Sequence, residues 1–372
     1  MTDWKLKELG AFLNLKRGYD LPERDRIPGN IPIVSSSGIS GYHNKATAKA
    51  PGVVTGRYGT IGEVFYITEN YWPLNTALYV ENFKNNYPRF SYYLLASYLS
   101  ANQNAAGAVP GVNRNHLHKI KVKVPPLPVQ RKIAAVLSGY DELIENNRRR
   151  IALLEKTAEE LYREWFVRLR FPGHATAKIV KGVPEGWEVK RVGEIVDRKH
   201  FGKTYHEKEV SLHGKIIVID QSISDFLGFY DGKPEHIASI QDPMILFGDH
   251  SCKMQLMFEP FSLGENVIPF RAKNNTPAIF LFFLSYKLIE TTEYKRHWSE
   301  LTNKKCFTPS LPLQIKFSST VTPNLNKIKN LKYINRQLLA SRDRLRSRLM
   351  SGKINVEDMD IWFPAGMRNE AE

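Results

Sequence analysis

The chain has 372 residues, 42% of them hydrophobic and 24% charged, with 53 Lys and Arg against 38 Asp and Glu for a formal net charge of +15. This composition argues against large-scale disorder and provides for two ordinary domain cores. The two cysteines, Cys252 and Cys306, have no motif spacing, which argues against a disulfide framework or a cysteine-rich zinc site.

The N-terminus, Met1-Thr2-Asp3-Trp4-Lys5, lacks the basic start and apolar stretch of a signal peptide, and the longest apolar run, residues 278–284, is too short to span a bilayer. A cytoplasmic protein without membrane contact is expected. Residues 1–127 hold 15 basic and 8 acidic residues, so the positive excess begins in a folded segment rather than a tail. Such a spread suits a protein that follows phosphates over an extended surface, although a basic balance alone also serves solubility.

The first globular segment, 1–127, reads as short strands at 31–34, 53–54, 63–67 and 77–80, separated by Gly- and Ser-rich turns, with a helix over 90–99. Its turns carry side chains able to contact bases or phosphates: Lys16, Arg17, Tyr19, Ser36, Tyr42, His43, Lys45, Arg57, Tyr58, Asn113 and Arg114. Pro125-Pro126-Leu127-Pro128-Val129-Gln130 then opens a long helix, placed at 128–172. Ile133, Leu137, Tyr140, Ile144, Asn147, Ile151, Leu154, Ala158, Leu161 and Trp165 alternate steps of four and three, the seam of a coiled coil.

The second globular segment, 173–312, repeats the first. Strands are expected at 216–219, 244–247 and 267–270 and a helix at 278–288, with DNA-facing candidates Lys203, Tyr205, His206, Gln221, Ser222, His250, Lys253, Asn303 and Lys304. For any one of these a solvated turn is as good a reading; as clusters at matching places in two repeats they favour DNA. Pro309-Ser310-Leu311-Pro312-Leu313-Gln314 returns 184 residues after its first copy and leads into a second helix within 313–372. Its seam, Ile328, Leu331, Asn335, Leu338, Leu345 and Leu349, is broken by Arg342, and Thr322-Pro323 is expected to delay its start. A period this long marks a duplicated domain rather than a solenoid. The fold class is α+β: two similar mixed domains separated by two long antiparallel coiled-coil helices, with Asn147 and Asn335 either in or next to one layer or both turned to solvent at frayed layers.

The proline turn, the helical text Ile133-Ala134-Ala135-Val136-Leu137-Ser138, Asp141-Glu142-Leu143-Ile144, Asn147-Arg148-Arg149-Arg150-Ile151 and Leu161-Tyr162-Arg163-Glu164-Trp165-Phe166 together resemble the central helix of the specificity subunit of type I restriction-modification enzymes. Gly41-Tyr42, Trp72-Pro73-Leu74-Asn75 and Asn113-Arg114-Asn115-His116-Leu117, with Ile120 and Val122, are similar to that family's target-recognition domains. The resemblance covers essentially the whole chain; Ile315-Lys316-Phe317-Ser318 departs from the usual helix-opening text. It implies one domain for each half of a split double-stranded DNA sequence. It also implies helices that dock methylation subunits, which carry the S-adenosylmethionine, and a restriction-translocase subunit joined through the complex.

Catalytic signals are lacking. There is no Asn-Pro-Pro-Tyr-like motif and no GxGxxG, and the glycines of 56–62 have the wrong spacing for one. Glu185 with Glu188-Val189-Lys190 only echoes a nuclease motif, and the histidines at 116, 118, 200, 206 and 213 lack a carboxylate or cysteine pattern for a metal. No catalytic residue, metal or cofactor is therefore assigned to this chain. Two other readings stay open at this point: an enzyme with fused nuclease or methyltransferase chemistry, and a coiled-coil adaptor that does not bind DNA.

Overall fold

The structure is a computed structural model and describes residues 4–57, 63–103, 113–180, 182–222, 224–291, 293 and 295–368. Packing divides the chain into two units, Met1–Glu145 with Gln337–Glu372, and Asn146–Arg336. Both divisions fall inside a long helix, so each unit owns part of each long helix. No helix among the described residues is long and apolar enough to cross a membrane.

In chain order the first unit contains β1 (Lys5–Glu8), α1 (Leu9–Phe12), β2 (Asn14–Arg17), β3 (Ile31–Ser35), β4 (Gly38–His43), β5 (Gly52–Gly56), β6 (Val64–Ile67), β7 (Trp72–Pro73), β8 (Ala77–Asn82), α2 (Pro88–Gln103), α3 (Arg114–His118), β9 (Lys121–Val124) and the start of α4 (Leu127–Tyr162). The second contains β10 (Ile179–Val180), β11 (Val183–Pro184), β12 (Glu188–Arg191), α5 (Val192–Ile195), β13 (Val196–Arg198), β14 (Ile216–Ile219), β15 (Gly228–Tyr230), β16 (Met244–Gly248), β17 (Met254–Met257), β18 (Phe261–Leu263), β19 (Val267–Ala272), α6 (Ala278–Ser285), α7 (Trp298–Asn303), β20 (Lys305–Thr308) and most of α8 (Leu311–Met350). α9 (Ala365–Arg368) returns to the first unit.

The topology is the same in both units. A four-stranded antiparallel sheet, β2-β8-β5-β6, has its counterpart in β13-β19-β16-β17. A three-stranded sheet, β4-β3-β7, matches β15-β14-β18, and in each the third strand is parallel to the middle one. A two-stranded ribbon, β1-β9 or β12-β20, joins the start of each unit to the strand before its long helix. The central strands β5 and β16 are buried along their whole length, which explains their apolar text without alternation. Helix α2 covers the first sheet through Phe90, Tyr93, Leu94 and Leu95, and α6 covers the second through Ile279, Phe280, Leu281 and Phe283. Each such side chain, fully buried, contributes about 1.5–3 kcal/mol.

The repeated proline turn has a local reason. Gln130 donates through Nε2 to the Pro125 carbonyl at 2.9 Å, and Gln314 donates to the Pro309 carbonyl at 2.7 Å. Each glutamine thus ties the first helical turn to the turn that precedes it. Gln130 also accepts from the Tyr87 amide at 2.9 Å, which fastens the start of α2 to the start of α4.

Within the first unit, Ile133 and Leu137 of α4 share a core with Leu345 and Leu349 of α8; Ile144 is buried, and Tyr140 and Leu338 are half-buried. Within the second, Ile151, Leu154, Ala158, Leu161 and Trp165 pack with Phe317, Val321, Leu325, Ile328 and Leu331. Asn147 donates to Asn335 at 2.9 Å, both buried, while Trp165 stacks edge-on to Phe317 at 5.9 Å, so the two helices run antiparallel there.

Three expectations need correction. α8 begins at Leu311 and runs unbroken through Pro323. Proline inside a helix removes one hydrogen bond and costs about 3 kcal/mol. Here Phe317, Val321, Leu325 and Ile328 are buried on one side of it, and Pro323 itself faces solvent. Arg342 does not interrupt the seam, because it is satisfied within it: it donates to Asp141 at 2.6 Å and to Asp343 at 2.9 Å, and Tyr93 donates to the other Asp141 oxygen at 2.5 Å. α6 stops at Ser285 rather than at 288, since Tyr286 is already extended, with ψ of 125°, and Lys287 then adopts a left-handed backbone with φ of 57°.

Replacing Asn147 by Leu removes the donor to the buried Asn335 amide and is expected to destabilise the protein by about 1–3 kcal/mol. Adding Asn335→Leu should give a combined loss smaller than the sum of the two single losses, because the shared hydrogen bond is counted in each of them. Denaturant unfolding of the single and double variants checks this; two additive losses would contradict it.

A second expectation concerns pH. His118 accepts the Leu15 amide proton at 2.9 Å. Burial, with the charges of Arg114 and Lys84 behind it, lowers the ring below its ordinary 6.5. The folded state therefore favours the neutral ring, so the stability it confers is complete above the ordinary value and is lost as pH falls through the lowered one. Thermal melts at about pH 7.5 and 5.5 should show a smaller acid-induced fall in Tm for His118→Gln than for the unaltered chain; equal falls would contradict this role.

Candidate nucleic-acid interface

In the first unit the loops gather at one end of the four-stranded sheet. β2 ends there at Arg17, β5 at Gly56, and β8 starts at Ala77, with Arg17 opposite Leu78 and Gly56 opposite Ala77. The backbone closes this end through Gly18 to Ala77 (3.1 Å), Tyr19 to Pro73 (2.8 Å), Asn75 to Tyr19 (3.0 Å) and Arg57 to Thr76 (2.9 Å). Gly18 is required: a Cβ there would lie 2.2 Å from the Leu74 carbonyl oxygen. The β3–β4 turn with Ser36 reaches the same end, because the Leu74 amide donates to Val34 next to Ser35. Arg17, Tyr19, Ser36 and Arg57 therefore share one end.

The remaining candidates of this unit lie elsewhere. Tyr42 and Lys45, both exposed, are at the far end of the β3–β4 hairpin, where His43 pairs with Ile31. Asn113 caps α3 by accepting from the Asn115 amide at 2.9 Å, and exposed Arg114 follows it; α3 packs at the start of β2, away from Arg17. Tyr58 lies outside the described residues.

Several side chains are committed to the fold. Lys16 pairs with Glu81 at 2.6 Å, and Tyr19 shares a hydrogen bond with buried Tyr79 at 3.1 Å. His43 is a correction: it is 5% exposed, accepts from the Ile27 amide at 3.0 Å and stands edge-on to Trp72. A buried ring with its nitrogen occupied does not reach DNA.

The second unit builds the corresponding end from β13, β16 and β19. The Asp249 amide donates to Asn266 (2.8 Å), Gly264 to Ile219 (2.7 Å) and Tyr205 to Leu263 (2.9 Å). Gln221, Ser222, His250 and Lys253 come together: Gln221 accepts from the His250 amide at 3.0 Å, and the Lys253 ammonium donates to the Ser222 carbonyl at 2.6 Å and to that of Ser224. Burial lowers the Lys253 ammonium below its ordinary 10.5, opposed by Asp220 and Asp225. Lys203 and His206 stand nearby in sequence but are paired, with Glu209 at 2.9 Å and Glu265 at 3.2 Å. Tyr205 is the second correction, since it is 7% exposed and packs on Tyr230 at 4.3 Å. Asn303 and Lys304 end α7 beside the ribbon, where Asn303 accepts from Arg191 at 3.2 Å, and are not part of this cluster.

Asp249, next to His250, also belongs to this end, and one further member, Arg296, was missed. Asp249, at the place Arg57 holds in the first unit, is buried and accepts the amides of His297 (3.1 Å) and Trp298 (2.9 Å), anchoring the start of α7. Arg296 is exposed beside it, with Nε 3.9 Å from an Asp249 oxygen. Only the run Lys295-Arg296-His297 could have signalled it. Burial pushes the Cys252 and Cys306 thiols up to about 11, so neither is a thiolate near neutrality. Among the described residues no group of three or more His, Cys, Asp or Glu is arranged to hold a metal ion.

Residues 1–156 match the family model of the type I restriction modification DNA specificity domain. Two curated relatives come from Methanocaldococcus jannaschii. The type I restriction enzyme MjaIX specificity subunit is 27% identical over 77% of this chain and 74% of the relative. The MjaVIII specificity subunit is 25% identical over 96% of this chain and 95% of the relative. Among solved structures, the type I restriction-modification S subunit from M. genitalium shares the fold with a TM-score of 0.56 at 18% identity, covering 94% of this chain and 96% of that one. Residues 1–156 thus resemble a type I restriction modification DNA specificity domain, and the same topology, again followed by a long helix, recurs in the second unit.

Proposed function

We propose that each unit reads one half of a split sequence in double-stranded DNA, and that the long helices dock methylation subunits. The observation that carries this is the duplication: the same sheet order twice, with a polar loop end on each four-stranded sheet, Arg17, Ser36 and Arg57 in one and Gln221, Ser222, His250 and Arg296 in the other. Their chemistry differs, as two heads reading different half-sequences require. The net charge of +15 supplies the phosphate attraction that any such reading needs.

The chain is a non-catalytic recognition component. Methyl transfer belongs to the partner subunit, which binds S-adenosylmethionine, and cleavage to a restriction-translocase subunit that joins through the complex in the cytoplasm. No observation favours a fused enzyme or an adaptor that ignores DNA.

Selection of bound duplexes from a random-sequence pool by the full chain tests the reading. Two short motifs separated by a constant gap are expected. Arg57→Ala should relax base preference in one motif only, by about fivefold or more. Loss of preference in both motifs with Arg57→Ala, or failure of the chain to retain duplex, would count against it.

A further inference from the structure

The two units differ where their equivalent middle strands turn back. Between β3 and β4 stand only Ser36 and Ser37, whereas the connection from β14 to β15, residues 220–227, has eight residues. Ile223 lies outside the described residues; its neighbours Ser222, Ser224 and Asp225 are exposed.

This longer connection is held from beneath by β17 and the residue before it. The Lys253 ammonium donates to the carbonyls of Ser222 (2.6 Å) and Ser224, and the Gln255 amide donates to the carbonyl of Asp225 at 3.0 Å. Gln221 accepts from the His250 amide at 3.0 Å, and Ser222 Oγ donates to Asp220 at 2.7 Å. A solvated turn has no use for a half-buried lysine under it. Drawing an ammonium out of water is costly, and that cost is met here by two backbone carbonyls, which the lysine in turn holds in place.

The side chains left facing outward are two hydroxyls and a carboxylate. A carboxylate beside phosphates is repelled, while in the major groove Asp accepts from the cytosine amino group and Ser pairs with either kind of edge. The set suits base edges rather than backbone.

Resting on the half-site reading proposed above, we infer that Ser222, Ser224 and Asp225 read bases of the second half-sequence, and that Lys253 is the positioning residue that fixes them. Their place in the fold is the one that the short Ser36-Ser37 turn occupies in the first unit.

The test is duplex selection from a random-sequence pool by the full chain and by three variants. Asp225→Ala, an exposed change, should lower preference at a base pair of one motif by about tenfold and leave the other motif intact. Lys253→Met should blur that same motif with Tm unchanged, and Lys253→Arg, which keeps the charge and donors, should restore it; a merely structural lysine would show loss of the motif only in step with a lowered Tm. If the unaltered chain enriches two motifs and both Asp225→Ala and Lys253→Met leave them unchanged, the assignment is overturned while the half-site reading stands. If the unaltered chain enriches no motif, the half-site reading fails and this inference with it.

Discussion

Two buried amides, Asn147 and Asn335, are hydrogen-bonded to each other, and that bond ties the register of the two long helices within the second unit. Each is 8% exposed, and they meet at 2.9 Å. Sliding either helix by a turn would break this bond and set the Asn147 amide against apolar neighbours, at about 1–3 kcal/mol. In the first unit the Asp141–Arg342 pair, with Tyr93 on the same carboxylate, applies the same logic with charges. Polar layers of this kind set register, while the apolar layers supply most of the stability.

The ribbons and proline turns follow from that frame. A long helix that belongs to two units must be fastened at its start, and Gln130 and Gln314 do so by the same bond to a proline carbonyl. Sheets packed on helices fixed in this way are free to vary at the loop end, away from the core. Hence the two units keep one strand order while Arg57 in one stands where Asp249 stands in the other. Loops on a rigid scaffold are where binding residues commonly concentrate, and the duplicated scaffold holds such loops at the end of each sheet.

Much of this was legible before the structure. The run Ile216-Ile217-Val218-Ile219 reads as a buried strand and is one, and the four-three spacing of Ile133 to Trp165 places those side chains on the packed face. The ribbon β1-β9 was not legible, because Lys5-Leu6-Lys7-Glu8 is wholly exposed and pairs with a strand more than a hundred residues away. Pro323 misled because a local penalty was weighed without the tertiary contacts that outweigh it. At the loop ends polarity marks the turns but not which side chains stay accessible: His43 and Tyr205 look like contact residues and are buried, since nothing local reveals that Trp72 or Tyr230 will cover them.

The central claim is that each unit carries its own reading specificity on an interchangeable scaffold. The most direct measurement is duplex selection by a chain in which residues 9–120 are replaced by residues 192–304, giving two copies of the second reading module on the original ribbons and helices. The account expects a target in which the second half-sequence occurs twice and the first is gone. Enrichment of the original two-part sequence by this chain would contradict it.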